Sequence, residues 1–141
     1  VMIDIETLGN TPKATILTIA GITFDRMADY SRIADPTELD YFYCRVDTES
    51  QGNRDINDDT VAWWAEQEED VRIEAFSPMD RLSLSDAMTA FNYWAQGADR
   101  YWANGSAFDF PILETCNNHF WLMFNSQTLN FVIIDFASFC I

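Results

Sequence analysis

Positive charge is scarce in this chain: 8 Lys and Arg stand against 23 Asp and Glu in 141 residues, a formal net charge of −15. A surface so acidic repels polyanions over most of its area. That excludes a non-specific nucleic-acid coat protein, because the phosphate backbone rewards clustered Lys and Arg. It leaves open a nuclease, in which metal ions bring phosphate to a carboxylate-rich cleft. Cysteine is thin as well. Cys44, Cys116 and Cys140 are odd in number and far apart, with no CxxC pair and no zinc spacing. Reduced thiols in a cytosolic setting are expected. Long apolar runs are missing too. The longest in the tail, Phe120–Phe124, stops at Asn125, well short of a bilayer span. Val1–Ile5 carries Asp4 at once and lacks the pattern of a signal peptide. A cytoplasmic protein with no membrane partner is the expectation.

What is present is a core. Apolar residues make up 48% of the chain and aromatic residues 15%, which argues against disorder, and the length suits one domain over 1–141. Val1–Ile5 reads as a strand and Gly9, Asn10 and Pro12 as a turn. Ala14–Phe24 is a β-branched second strand and Leu39–Val46 a third. Short connections between them suggest an antiparallel meander. Asn57, Asp58 or Asp59 can cap a helix through Thr60–Gln67, with Val61, Trp64 and Ala65 on one face. A second helix is expected over Glu69–Phe76, with Val71, Ala75 and Phe76 inward. A third runs from about Ser85 to Gln96, carrying a stripe of Leu84, Ala87, Met88, Phe91, Trp94 and Ala95, with Gly97 at its C-terminal cap. Arg100–Asn104 is a short strand. Phe110–Cys116 starts a last helix with Pro111 in its first turn. This order predicts an α/β fold, a mixed sheet flanked by helices. After Glu114 the only charged residue is Asp135. Such a tail reads as sheet core, as a partner interface, or as part of a domain whose remainder is absent.

Three constellations could carry chemistry. In Asp4-Ile5-Glu6 the strand period of two puts both carboxylates on one face. Their repulsion and desolvation are relieved by a hard cation such as Mg²⁺ or Mn²⁺; a solvated acidic face would look the same. The stretch Trp102–Pro111 joins a strand to a helix and delivers Asp109 near the helix start, where the dipole favours a carboxylate. A Ser106-x-x-Asp109 capping box explains part of it. In Thr60-Val61-Ala62-Trp63-Trp64 the adjacent tryptophans lie about 100° apart on the wheel, so one is expected in the core and the other exposed. An exposed Trp beside a cleft can stack on a base, worth roughly 1–3 kcal/mol, although packing accounts for either ring. Trp64 is the candidate on the substrate side.

In order, Asp4-Ile5-Glu6-Thr7-Leu8-Gly9 with Ile22-Thr23-Phe24-Asp25, Thr60–Trp64 with Gln67 and Arg72, and Asn104-Gly-Ser-Ala-Phe-Asp109-Phe-Pro-Ile-Leu113 resemble the DEDD-type 3′→5′ exonucleases. These form the DnaQ-like superfamily with a ribonuclease-H-like fold, and the chain looks most similar to the phage-type exodeoxyribonuclease branch. The resemblance covers most of residues 1–115. It implies a meander of three strands plus a parallel strand, flanked by helices. It implies that Asp4, Glu6 and Asp109 are catalytic and hold two Mg²⁺ or Mn²⁺ ions. It places Thr7 and Leu8 beside the terminal nucleotide, with Asn104 and Phe108 shaping the pocket. The implied partner is the 3′ end of single-stranded nucleic acid, DNA ahead of RNA with an exoribonuclease of the same fold as the close runner-up, in a bacterial or phage-infected cell, with a homodimer as an open alternative. The family's third motif, His-x4-Asp, is absent from these 141 residues: five positions after His119 stands Phe124. Asp135 is the one acidic residue near the expected place. The resemblance therefore implies a domain cut short of its third-motif helix, or else an inactive exonuclease-like module that binds a partner.

Overall fold

The computed structural model describes residues 1–25, 27–30 and 39–116. Five strands form one sheet: β1 (Met2–Thr7), β2 (Ile16–Ile22), β3 (Tyr41–Val46), β4 (Arg81–Leu82) and β5 (Trp102–Ala103), in the order β4-β3-β2-β1-β5. The β1–β2 and β2–β3 pairs are antiparallel, the expected meander. β5 joins β1 in parallel, and β4 joins β3 in parallel. Four helices flank the sheet: α1 (Asp58–Ala65), α2 (Glu69–Phe76), α3 (Leu84–Ala95) and α4 (Ser106–Cys116). This is the mixed α/β architecture expected of a ribonuclease-H-like domain.

Strand alternation decides what each face does. Ile3 and Ile5 of β1, Ile19 of β2, and Cys44 and Val46 of β3 point to one side. There they meet Ala87, Met88, Phe91 and Ala95 of α3, and Phe110, Ile112 and Leu113 of α4, in the main core. The α3 stripe is buried as its periodicity predicts, with Leu84 and Trp94 half-buried at its margins. Gly97, at φ +87°, follows α3 in the left-handed conformation a helix stop favours. The other face of β1 presents Met2, Asp4 and Glu6.

A β-bulge reshapes that second face. Glu6 pairs with Thr18 and Thr7 with Ile16, so Leu17 is left over. The extra residue turns Leu17 away from the main core into a second cluster with Leu8, Trp64 and Ala75. Gln51 secures the start of β2 there. Its side-chain amide accepts from Ile16 N–H (2.9 Å) and donates to Ile16 C=O (2.6 Å), replacing a missing strand neighbour.

Several expectations need correction. α1 buries only Trp64 and α2 only Ala75; Val61, Ala65, Val71 and Phe76 are exposed. The periodicity was real, but the second cluster is too small to cover a whole face of either helix. α4 begins at Ser106, four residues earlier than expected, and Pro111 lies inside it. Gly105 supplies the first helical acceptor, taking the Asp109 amide at 2.9 Å, so Ser106 does not stand at the cap position. Pro111 withholds the amide that the carbonyl of Ala107 would accept, which is tolerable at an exposed residue near the helix start. β4 had no sequence signal because two residues carry no period. His119, Asp135 and the charge-poor tail lie outside the described residues.

Gly21 is where a helix meets the sheet most closely. A Cβ there would lie 2.7 and 2.8 Å from ring atoms of Trp94 and 3.3 Å from the carbonyl oxygen of Met2. Trp94 cannot retreat easily. It packs on Phe42 (centroids 5.5 Å apart) and Phe91 (6.1 Å), and its indole N–H donates to Asp40 Oδ1 at 3.0 Å. Overpacking of this kind costs about 1–3 kcal/mol. We therefore expect Gly21→Ala to lower the denaturant midpoint by that amount at unchanged m-value; a midpoint equal to wild type would show that Trp94 is free to move.

Candidate active site

β1 lies between β2 and the short edge strand β5, and both its carboxylates stand on the face of the sheet away from the main core. Asp4 and Glu6 face the same way, opposite the small partners Ala20 and Thr18 on β2. Asp109 reaches them from the other edge. β5 pairs only with Met2 and Ile3, and beyond it the backbone of β1 lacks a strand neighbour. The Asn104–Gly105 turn then brings the first turn of α4 against that opening. Asp109 is 3% exposed, and its carboxyl faces the backbone amides of Asp109 itself, Ile5 and Gly105. The amide of Ile5 lies between Asp4 and Glu6 in sequence, so this contact ties α4 to the two carboxylates of β1. Gly105 permits the approach: a Cβ there would stand 3.3 Å from Phe108 Cβ and 3.5 Å from Asp109 Oδ2.

The three groups interact electrically. Burial raises the Asp4 carboxyl, although the residue as a whole is exposed. Glu6 is pushed up to about 7, chiefly by burial and then by the charges of Asp4 and Asp109. Asp109 is pushed up to about 6, by burial first and then by Asp4, against the pull of the three amides. The charge of Asp4 opposes ionisation of the other two, and the trio titrates as a coupled set. Among the described residues, no three His, Cys, Asp or Glu side chains close tightly enough to enclose an ion unaided. The donor set is all carboxylate oxygen, without thiolate or imidazole. That chemistry fits a hard divalent cation, and the raised carboxyls are the groups whose charge such a cation would favour.

The remaining candidates divide by exposure. Thr7 and Leu8 are buried. Thr7 Oγ1 donates to the carbonyl of Gly9 (2.6 Å), and Leu8 N–H donates to the carbonyl of Thr15 (2.8 Å). A substrate beside them would meet backbone, not side chain. Trp64, at 4% exposed, is a correction: it is a packing residue whose indole N–H donates to the carbonyl of Thr7 at 2.8 Å. The exposed tryptophan is Trp63, at 52%, standing edge-on to Trp64 with centroids 5.1 Å apart. Asn104 is exposed, and Phe108 is half-buried against the main core.

Sequence reasoning missed the arginines. Arg45 and Arg81 are register partners on β3 and β4, and both reach carbonyls at the end of α2. Arg54 holds the carbonyls of Ala14, Pro12 and Ile112 and the hydroxyl of Thr115. No spacing rule announces these roles, because the acceptors are backbone groups brought close only by folding.

The raised carboxyls give a pH signature. Between the ordinary carboxylate range and about pH 7 the folded chain binds more protons at Glu6 and Asp109 than the unfolded chain does. Their contribution to stability is therefore full at low pH and is lost as pH rises through about 6 to 7. Glu74 is shifted the other way, lowered by hydrogen bonds from Tyr43 and Arg45, so its effect falls below the ordinary glutamate range and outside this window. Without divalent ions, the melting temperature of wild type relative to Glu6→Gln should be higher at pH 5 than at pH 8. A difference independent of pH would show that Glu6 titrates normally.

Residues 1–134 match the family model described as 3′-5′ exoribonuclease Rv2179c-like domain. The chain is also 30% identical over 119 residues to a protein of Enterobacteria phage T4 named exodeoxyribonuclease, covering 79% of this chain and 52% of that protein. The chain thus spans about half the length of the curated relative it matches. The matched region takes in Asp4, Glu6 and Asp109, and the chain belongs to the Rv2179c-like 3′-5′ exonuclease domain family, a group of nuclease hydrolases.

Proposed function

We propose that this chain carries the metal-binding part of a 3′→5′ exonuclease that removes nucleotides from the ends of single-stranded DNA. The observation that carries the reading is the coupling of Asp109, from the start of α4, to Asp4 and Glu6 on β1. Asp4, Glu6 and Asp109 would hold Mg²⁺ or Mn²⁺, which when bound supplies an activated water and charge stabilisation for phosphodiester hydrolysis. The protein's own part is to present three carboxylates from a rigid strand and a helix terminus. The backbone of Thr7 and Leu8, immobilised by Trp64 and Thr15, forms the wall beside Glu6. Trp63, with Asn104 and Phe108, is the surface offered to the terminal nucleotide. Exoribonuclease activity is the second reading, favoured by the description of the matching family; the phage relative's name favours DNA.

We further read residues 1–141 as one domain whose general base lies in a longer polypeptide. The share of the phage relative that is covered, 52%, supports this. So does an apolar hollow of about 310 Å³ beside Asp4, lined by Met2, Ala20, Ile22, Tyr41 and Tyr43, which gives a further segment somewhere to pack. A positioned base is worth ~10²–10⁴-fold, so the 141-residue chain alone should hydrolyse DNA slowly or not at all. The whole protein should be active on one of two 3′-end substrates, single-stranded DNA or RNA, compared at equal concentration. Robust metal-dependent cleavage by the 141-residue chain would overturn the missing-base account, and preference for RNA would overturn the DNA assignment.

Metal binding can be tested apart from turnover. Mn²⁺ should raise the melting temperature of wild type, since a ligand that binds only the folded state stabilises it. Asp4→Ala should abolish that rise. Its melting temperature without metal should equal or exceed wild type, because one of three mutually repelling carboxylates is gone. An Asp4→Ala variant that is stabilised by Mn²⁺ as strongly as wild type would remove Asp4 from the site.

A further inference from the structure

α1 and α2 form an arm over the carboxylate face, and the arm has little apolar anchorage. Each helix is eight residues long and buries one side chain, Trp64 or Ala75. Helices this short are marginal alone. Polar contacts from the sheet hold the arm instead, and they converge on the end of α2. Arg45 Nε donates to the carbonyl of Glu74 (2.9 Å), and its NH2 group to the Glu74 carboxylate (2.6 Å). Tyr43 donates its hydroxyl to the same carboxylate at 2.6 Å. Arg81 donates to the carbonyls of Ala75 (2.7 Å) and Ser77 (2.8 Å), and anchors itself on the carbonyl of Val46 (2.7 Å). These acceptors belong to the last turn of α2 and its cap, where carbonyls lack helical partners and cations are favoured. α2 has no basic residue of its own in that turn.

The clamp leads to the site. Phe76 lies between the two residues whose carbonyls Arg81 holds. Its ring meets Trp64 edge-on, with centroids 5.4 Å apart. Trp64 in turn donates to the carbonyl of Thr7, the residue after Glu6, and the amide of Asn57 at the base of α1 donates to the carbonyl of Leu8 (2.8 Å). The end of α2 is thus in contact with Trp64 and, through it, with the exposed ring of Trp63.

We propose that Arg45 and Arg81 are positioning residues: from the sheet they clamp the α2 C-terminus and so set the place of the Trp63 edge against which the nucleic-acid end binds. This inference rests on the exonuclease reading for its purpose, but the clamp is testable separately. Arg45→Gln removes the charged donor while Arg81 stays to keep the fold. Three measurements then apply: hydrogen exchange over residues 57–76, Mn²⁺ affinity, and affinity for a phosphorothioate-linked single-stranded oligothymidylate in Mn²⁺. Hydrogen bonds from a charged group carry enough energy that losing them should speed exchange in the arm and weaken oligonucleotide binding by about tenfold each. Mn²⁺ affinity should be unchanged, because the carboxylates are untouched. Arg45→Lys should recover only part of the loss, since an ammonium cannot hold two acceptors in one plane. An Arg45→Gln protein with wild-type exchange in the arm overturns the clamp, whatever the protein does with nucleic acid. Loosened exchange with unchanged oligonucleotide affinity overturns the positioning role. A wild-type protein that binds Mn²⁺ but no oligonucleotide overturns the exonuclease reading instead.

Discussion

The structure depends on keeping three like-charged carboxylates together on one face of a sheet. Each is disfavoured there by burial, and Glu6 and Asp109 are further raised by their neighbours. Such an arrangement persists only if the surrounding scaffold over-determines it. Asp4 and Glu6 are held by a strand that is paired with β2 along its length, with β5 at its start, and packed beneath by Ile3 and Ile5. Asp109 is held by helix α4 and by amides that point at its carboxyl. The shortness of β5 is central: a longer strand would pair with the amide of Ile5, and α4 could not bring a carboxylate to it.

The main core supplies the stability this site consumes. α3 and α4 pack on one face of the sheet around Phe91, Met88, Ile112 and Leu113, all essentially inaccessible to solvent. The opposite face is treated differently. It carries the carboxylates, a bulge that turns Leu17 toward the arm, and an arm held largely by polar bonds. Rigidity is thus concentrated behind the carboxylates, and the elements proposed to face a substrate are the ones with least apolar burial. Regions of low burial open most readily, which suits a surface that must admit and release a polymer end.

How much of this was legible depends on whether the cause was local. The Asp4–Glu6 pairing followed from the strand period, and α2 has the boundaries its composition predicts. The division of labour between Trp63 and Trp64 followed from the helix wheel. Which ring was buried did not, because that depends on Thr7 and Phe76, each brought in from another element. The start of α4 was misplaced because Pro111 is a strong local signal for a first turn, while the true start depends on where β5 releases the chain. The bulge at Leu17, the two-residue β4 and the carbonyl partners of the arginines have no local cause at all. The carboxylates that come together were readable; the residues that hold them in place were mostly not.

The arginines also settle how an acidic protein can meet a polyanion. In the described residues Arg45, Arg54 and Arg81 are each bound to backbone carbonyls, Arg45 to the Glu74 carboxylate as well. Their charge serves the fold. Lys13, Arg72 and Arg100 are the other described cations, and they lie on the first turn, on α2 and before β5, not in a stripe that could track a phosphate backbone. The described Lys and Arg therefore form no cluster of the kind that attracts nucleic acid at long range. On the proposed function, a cation bound among Asp4, Glu6 and Asp109 would be the strongest local positive charge, at the place proposed for a phosphate. Recognition would then be confined to a chain end within reach of the metal, and metal affinity, more than surface charge, would set the affinity for substrate.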